Sequence, residues 1–394
     1  MVARIMIPLI IAIMLSDLYI DQHYWQHHRG YRWWKRLLWW LPSMGMLVYT
    51  LILGTIRNFV PDDLRWVNLY MLLVGIVVYP KAVFSLFSIL GRIFRRFIVH
   101  THRNWGTPVA TVIILVSYFM LAYGSTVGFR RLKVVHIDLS YPDLPPAFDG
   151  YRIVHFSDAH VGTLTGSLRH LLQRDVDSIN AQHPDLIAFT GDLQNIQPRE
   201  IKPVVPLLSR LRARDGVVSV LGNHDYAEYV KLPVPEKAAN CRQTVAFERA
   251  CGWRLLRNEH CVIRRGRDSI VIAGEQNLEL PDSADFTRTM RGVGPSAFAI
   301  VLQHNPKAWD EHIRRDRRAH LTLAGHTHGG QLSVFGLRAT QIAYREDYGL
   351  YCKGGQYLYV TSGIGGLIPF RFGIRPEIAV ITLHRSPQKT TQKQ

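Results

Sequence analysis

Two hydropathy patterns divide the 394-residue chain. The front is built of long apolar runs. Residues 107–129, TPVATVIILVSYFMLAYGSTVGF, hold no charge across 23 positions. At ~1.5 Å per residue such a run crosses a hydrocarbon core of ~30 Å. Residues 37–56 are also uncharged, with Pro42 near one end. Residues 66–90 are interrupted only by Pro80 and Lys81, and Lys81 is expected to snorkel or to mark a break in the helix. Residues 5–20 are the weakest candidate, because the apolar core ends at Ser16 and Asp17 follows. No small-residue cleavage site comes after it, as a removed signal peptide would need. The pattern predicts four transmembrane helices, with three as the alternative.

After Arg131 short apolar runs alternate with amphipathic stretches. KVVHIDLSYPDLPPAFDG reads as an edge strand leading into a turn. YRIVHFSD, DLIAFTGD and GVVSVLGNHD read as strands ending in polar loops, with helices expected at 167–181 and 200–213. This β-α-β-α-β order is the grammar of a mostly parallel sheet. A helix over 238–251 follows. RDSIVIAGEQ, AFAIVLQHNP, AHLTLAGHTHGG, QYLYVTSGIG and EIAVITLHR supply further strands, enough for two sheets with helices outside. The reading is an α-helical transmembrane region at 1–129, an α/β domain at 130–385 and a disordered tail at 386–394.

Charge sharpens the division. Residues 1–129 contain twelve Lys/Arg and four Asp/Glu, against 35 and 26 in the remainder. The formal net charge of +17 brings no nucleic-acid module or lysine-rich tract with it, so nucleic acid is not expected as a partner. The basic residues of the front flank the apolar runs instead. Seven of the nine tryptophans precede residue 106, and WQHHRGYRWWKRLLWW (25–40) resembles an interfacial belt. His23, His27 and His28, in the loop at 21–36, read as solvated interfacial residues. The loops at 21–36 and 91–106 carry four Lys/Arg each, against two at 57–65 and three just after the last run. The positive-inside rule then puts the back domain on the non-cytoplasmic side of a cell (inner or plasma) membrane. Cys241, Cys251, Cys261 and Cys352 form no C-x-x-C pair, which argues against a thiolate metal site.

The candidate chemistry lies in the back domain. Asp158 and His160 in SDAH, Asp192 in TGD, Asn223 in GNHD, His304 in LQHNP, and His326 and His328 in GHTHGG are all potential metal ligands. Nearly every one follows an apolar run, so strands ending together would gather them. Taken singly, an Asp after a strand is a turn former or cap, and a lone His is a structural residue. Together, and with Asp192 bridging, they offer eight bonds to two ions. Two such ions suit phosphate-ester hydrolysis: they neutralise the anion, orient it and lower the pKa of a water between them. His224 is placed to protonate the leaving group, or else to pack behind the ligands. Asp225 would orient His224 or cap the turn. Glycines 191, 222, 325, 329 and 330 would allow sharp turns.

In this order, SDAH, GD, GNHD, a later His and GHTHGG resemble the calcineurin-like metallophosphoesterase superfamily over about residues 133–385. The resemblance implies a four-layer α/β/β/α sandwich. It implies one metal on Asp158, His160, Asp192 and His328, a second on Asp192, Asn223, His304 and His326, and His224 as general acid. LPPAFDGYRIVHFSDAHVG and GIGGLIPFRFGIRPEIAVITL are similar to a membrane-associated bacterial branch, some of whose members act on phosphodiesters or lipid-linked pyrophosphates. Leu367, Ile368, Pro369, Phe370 and Phe372, with Arg371 and Arg375, are expected either to dip into headgroups and steer an anion or to pack in the core. The expected partners are a bilayer and a phosphorylated substrate, lipid-linked or not (a phosphomonoester, a phosphodiester or a lipid-linked pyrophosphate), and the cofactors two Mn, Zn or Fe ions. A membrane sensor binding a phosphorylated ligand without turnover is the rival reading; the intact ligand set opposes it.

Overall fold

The computed structural model describes residues 2–26, 32–56, 58–59, 61, 63–99, 103–279 and 283–386. The disordered-tail reading for 387–394 and the histidines at 27 and 28 therefore lie outside the described residues. The chain separates into two compact units, Met1–Ser125 and Thr126–Gln394.

The first unit contains helices α1 (Val2–Ile20), α2 (Trp33–Gly54), α3 (Leu64–Leu73), α4 (Tyr79–Phe94) and α5 (Gly106–Thr126). Helices α3 and α4 join through a π-helical turn, Val74–Val78, into one continuous rod. Among the described residues, four helices are long and apolar enough to cross a membrane: Ile5–Trp25, Trp33–Gly54, Leu64–Ile98 and Gly106–Arg130. The weak first run is thus part of a helix as able to span as the others, and helix occupies much of the loop expected at 91–106. Burial is inverted relative to a water-soluble bundle. Ile7, Leu37, Val112 and Phe119 are exposed, whereas Asp17, Asp21, Ser43, Thr50 and Ser88 are buried. That is the distribution a hydrocarbon solvent selects.

Lys81 neither snorkels nor breaks its helix. Its ammonium donates to Asp17 Oδ1 at 2.6 Å and Ser43 Oγ at 2.7 Å, and lies 4.2 Å from the Trp39 ring centroid. The two intramembrane charges satisfy each other across three helices, so neither has to leave the span. The carbonyl of Ile76, which Pro80 cannot serve, accepts from Tyr118 Oη at 3.0 Å.

The second unit contains two six-stranded sheets. The strands are β1 (Lys133–Tyr141), β2 (Tyr151–Phe156), β3 (Leu186–Phe189), β4 (Val217–Ser219), β5 (Arg254–Leu255), β6 (Glu259–Arg265), β7 (Asp268–Gly274), β8 (Ala299–Leu302), β9 (Ala319–Ala324), β10 (Gly349–Lys353), β11 (Gln356–Val360) and β12 (Glu377–Arg385). One sheet runs β1-β12-β2-β3-β4-β5, the other β10-β11-β9-β8-β7-β6. Strands β2, β3, β4 and β5 are parallel, as are β7, β8, β9 and β11. β1 is an edge strand, as its sequence suggests, and pairs parallel with β12.

Period-two alternation explains the layers. Ile153, Ala188, Val218 and Ile381 of the first sheet meet Ile272, Ile300, Leu302 and Leu323 of the second. The alternate residues Val154, Ile187, Phe189 and Val380 pack outward against Leu172, Val176 and Ile179 of α6 (Arg169–Asn180). Val271, Val301 and Val360 pack outward against Trp309 and Ile313. The result is the α/β/β/α sandwich. The helix expected at 200–213 shrinks to one turn, α7 (Val205–Leu208), behind short 3₁₀ turns. Pro203 and Pro206 remove two of the N–H groups a longer helix would need. The helix expected at 238–251 is longer than its pattern suggests, α8 (Val234–Ala250).

Candidate metal centre

Each candidate ligand leaves the carboxyl end of a parallel strand. Asp158 and His160 follow β2, Asp192 follows β3, Asn223 follows β4, His304 follows β8, and His326 and His328 follow β9. Both sheets therefore deliver side chains to one edge of the sandwich, where parallel α/β sheets characteristically bind ligands.

The backbone is bent hard to do this. Asp158, His160, Asp192, His326 and His328 all have positive φ, between 42° and 72°. Non-glycine residues adopt this conformation only where the surroundings impose it. Two of the neighbouring glycines serve close approach instead. A Cβ on Gly222 would lie 2.2 Å from Asp192 Oδ1, and one on Gly325 would lie 2.3 Å from Asp158 Oδ2. The turns thus come largely from the ligand residues themselves, and these glycines are there for room.

The donor atoms converge. His328 Nε2 lies 3.4 Å from Asp158 Oδ1 and 3.3 Å from His160 Nε2. His304 Nε2 lies 3.0 Å from Asn223 Oδ1, and His326 Nδ1 lies 2.8 Å from the same oxygen. Asp192 Oδ2 joins the two sets, 3.7 Å from His160 Nε2 and 3.2 Å from His304 Nε2. Asp192 Oδ1 is occupied, accepting the His224 N–H at 2.8 Å. Three overlapping groups, Asp158–His160–His328, His160–Asp192–His224 and Asp192–His304–His326, each place their ligand atoms within 4.8 Å of one another.

The outer nitrogens fix the inner ones. His304 Nδ1 donates to the Thr190 carbonyl at 2.6 Å, which turns Nε2 toward Asp192 and Asn223. His326 Nε2 meets Tyr344 Oη at 2.8 Å, which turns Nδ1 inward. Asn223 Nδ2 donates to Tyr229 Oη at 2.6 Å, which turns Oδ1 inward. Buried imidazole nitrogens facing each other beside two carboxylates are a cluster that needs positive charge at its centre. These residues fit a pair of cations.

Protonation follows the same logic. Burial, reinforced by Asp192 and opposed by His304, pushes Asp158 up to about 6. Burial also pushes Asp192 up, but His304 and then His224 outweigh it and hold Asp192 well below the usual carboxylate range. Burial lowers His304, yet Asp192 overrides it and raises the ring to about 9. Burial takes His160 and His326 down to about 3 and His328 well below its ordinary value, so these three are neutral donors.

His224 is half-buried, 4.9 Å from the His160 ring and 4.4 Å from the Tyr229 ring, with Nδ1 hydrogen-bonded to the Asn195 carbonyl. Asp225 does not orient it. The Asp225 carboxylate instead accepts four backbone N–H groups, from Asp192 (2.8 Å), Gly222 (2.9 Å), Leu193 (2.9 Å) and Gln194 (3.2 Å). It clamps the β3 loop to the β4 loop. Arg371 does not face an anion either. It is fully buried, donating to the carbonyls of Ser362 (2.6 Å) and Gly365 (2.7 Å), and so braces the loop behind Asp158. Leu367–Phe370 are half-buried.

Sequence reasoning missed Tyr229, Tyr344 and Asn195. Tyr229 lies six residues beyond Asn223, but nothing in NHDYAEY separates it from Tyr226, which packs in the core. Tyr344 sits in an irregular segment with no pattern to mark it.

Residues 3–129 match the model of a probable calcineurin-like phosphoesterase transmembrane domain, and residues 151–330 match calcineurin-like phosphoesterase. A metallophosphoesterase of Bacillus subtilis, YkuE, is 34% identical over 61% of this chain and 81% of its own length. A Danio rerio transmembrane protein with a metallophosphoesterase domain is 30% identical over 70% of this chain, which spans 63% of that protein. A dimetal phosphatase from Danio rerio is a distant structural neighbour, 12% identical with a TM-score of 0.32, covering 55% of this chain and 88% of that one. On the sequence matches, the chain belongs to the calcineurin-like metallophosphoesterases, among members that place a transmembrane domain ahead of the phosphoesterase domain.

Proposed function

We propose that the chain is a membrane-anchored dinuclear hydrolase of a phosphomonoester, phosphodiester or lipid-linked pyrophosphate. In this reading Asp158, His160, Asp192 and His328 hold one cation, and Asp192, Asn223, His304 and His326 hold the other. The observation that carries it is Asp192 Oδ2, which faces His160 Nε2 of one set and His304 Nε2 of the other. Mixed Asp, His and Asn donors suit Mn, Zn or Fe.

Bound there, two cations would neutralise the phosphate and acidify a water between them. The chain's own residues supply the rest. Thr190, Tyr344 and Tyr229 hold the ligating atoms inward. Asp225 holds the β3 and β4 loops in register. His224, anchored through Nδ1, has Nε2 left to deliver a proton to the departing oxygen. Residues 1–129 act as the multi-pass anchor and 130–385 as the catalytic domain, on the non-cytoplasmic side by the Lys/Arg balance of the loops.

The test uses the purified full-length chain with aryl phosphate and bis-aryl phosphodiester substrates and added Mn²⁺. Asp192→Asn is expected to abolish turnover, and His224→Ala to lower it by ~10²–10⁴-fold, while the fold persists. Unchanged turnover in both variants would defeat the assignment.

A further inference from the structure

The loop that leaves His326 and His328 carries a cluster of exposed apolar side chains. Phe335 is fully exposed, Ile342 is 93% exposed and Leu337 72%, with Leu332 and Val334 also exposed. Five large exposed apolar residues within eleven positions of one loop are a concentration rather than a scatter of single surface residues.

The backbone makes the choice of residue more telling. Val334 and Leu337 exchange both hydrogen bonds, at 3.1 and 3.0 Å, around a two-residue turn. Both turn residues have positive φ, 52° at Phe335 and 82° at Gly336. Turns of this kind favour Asn or Asp before Gly. A phenylalanine there is unfavourable for the backbone and for hydration alike.

The hairpin is also held firmly. Ser333 N–H donates to the Phe372 carbonyl at 2.7 Å, and Phe372 N–H donates to the Gln331 carbonyl at 3.0 Å. Arg338 donates to the Gly336 carbonyl at 3.1 Å and to Asp347 at 2.7 and 2.9 Å. Ile342 ends a 3₁₀ turn, Ala339–Ile342, two residues before Tyr344, whose hydroxyl meets His326. The apolar loop is thus a preformed wedge in the segment that runs from His328 to Tyr344, both at the candidate metal centre. The same chain carries four membrane-length helices, so the second unit is covalently tethered to a segment suited to a bilayer.

We propose that the Leu332–Ile342 wedge inserts Phe335, Leu337 and Ile342 at the headgroup–acyl boundary of a bilayer, so that the adjacent centre works on phosphate groups carried by lipids. The substrate clause rests on the hydrolase reading above; the insertion clause does not. Full-length protein reconstituted in phosphatidylcholine vesicles tests both. For insertion, a nitroxide is placed at Phe335→Cys in a Cys352→Ser background, since Cys352 is an exposed thiol. Collision with oxygen should exceed collision with a water-soluble nickel chelate. Water-like accessibility, or protection from both reagents as a protein partner or second copy would give, would overturn it whatever the activity.

For substrate, Phe335→Asp and Ile342→Asp are assayed on vesicles containing phosphatidic acid and on a soluble aryl phosphate. An acidic side chain at the boundary should raise KM for the vesicle substrate on the order of tenfold and leave soluble turnover unchanged. Equal losses on both substrates, or no change on vesicles, would remove the wedge from substrate access. A wild-type chain inactive on both would remove the hydrolase reading, and with it the substrate clause, while the insertion measurement would still stand.

Discussion

Asp225→Asn separates a clamp on the centre from a partner of His224. The carboxylate gives Oδ2 to Asp192 N–H and Gly222 N–H, and Oδ1 to Leu193 N–H and Gln194 N–H. An amide keeps one oxygen, so whichever way it turns, two N–H groups face an NH₂. At ~1.5–3 kcal/mol for each bond to a charged acceptor, the loss is roughly 3–6 kcal/mol. One term opposes this: burial, and then Asp192, push the Asp225 carboxyl up to about 7, so a neutral amide relieves some strain. Cations beside Asp192 shrink that relief. In metal-loaded protein the net loss is therefore expected near the lower end, ~3 kcal/mol, or roughly 100-fold in a local opening equilibrium. Hydrogen exchange on peptides covering residues 190–196 and 220–225 reads it directly. Both peptides should exchange about 100-fold faster, with the β8 and β9 peptides unchanged. Exchange at the wild-type rate would refute the clamp. A loss confined to activity would restore Asp225 to His224.

Three further outcomes follow from the same contacts. His224→Ala should lower kcat by ~10²–10⁴-fold with metal content unchanged, as loss of a proton donor requires, checked by parallel kinetics and elemental analysis. Overall metal affinity should rise with pH: binding displaces the proton that Asp192 stabilises on His304, so affinity climbs about tenfold per pH unit up to about 9 and more steeply below about 6, where Asp158 also gives up a proton, and calorimetry in buffers of different ionisation enthalpy counts those protons. Lys81→Met leaves Asp17 buried without its partner and should cost ~3–5 kcal/mol, lowering the unfolding temperature in detergent, whereas Asp17→Leu with Lys81→Met should recover most of it.

The seven candidate ligands could be picked out because nearly every one follows an apolar run, and a run of parallel strands gathers its carboxyl-end loops on one side. The two-sheet architecture was legible for the same reason: Val154 and Ile153, or Ile187 and Ala188, are adjacent apolar residues buried on opposite faces. What the pattern hid had short range or no period. β5 is two residues long, and β6, EHCVIRR, mixes charges into its alternation. The 200–213 helix looked continuous because the prolines in PVVPLL fall between apolar residues. Asp17 and Lys81 are 64 positions apart, so their pairing could not be read from either segment. Tyr229 and Tyr344 act by a single hydroxyl contact each, which no spacing rule encodes. Arg371 stood open between steering an anion and packing in the core, because its neighbours are apolar and basic; only the fold shows that its guanidinium is enclosed by backbone carbonyls.

The central claim is that Asp192 joins two cation sites. Elemental analysis of the full-length protein, purified after loading with Mn²⁺ and removal of excess metal, tests it most directly. Two ions per chain are expected, falling to one or none in Asp192→Ala. A wild-type chain that retains one ion or none, or an Asp192→Ala chain that still retains two, would contradict it.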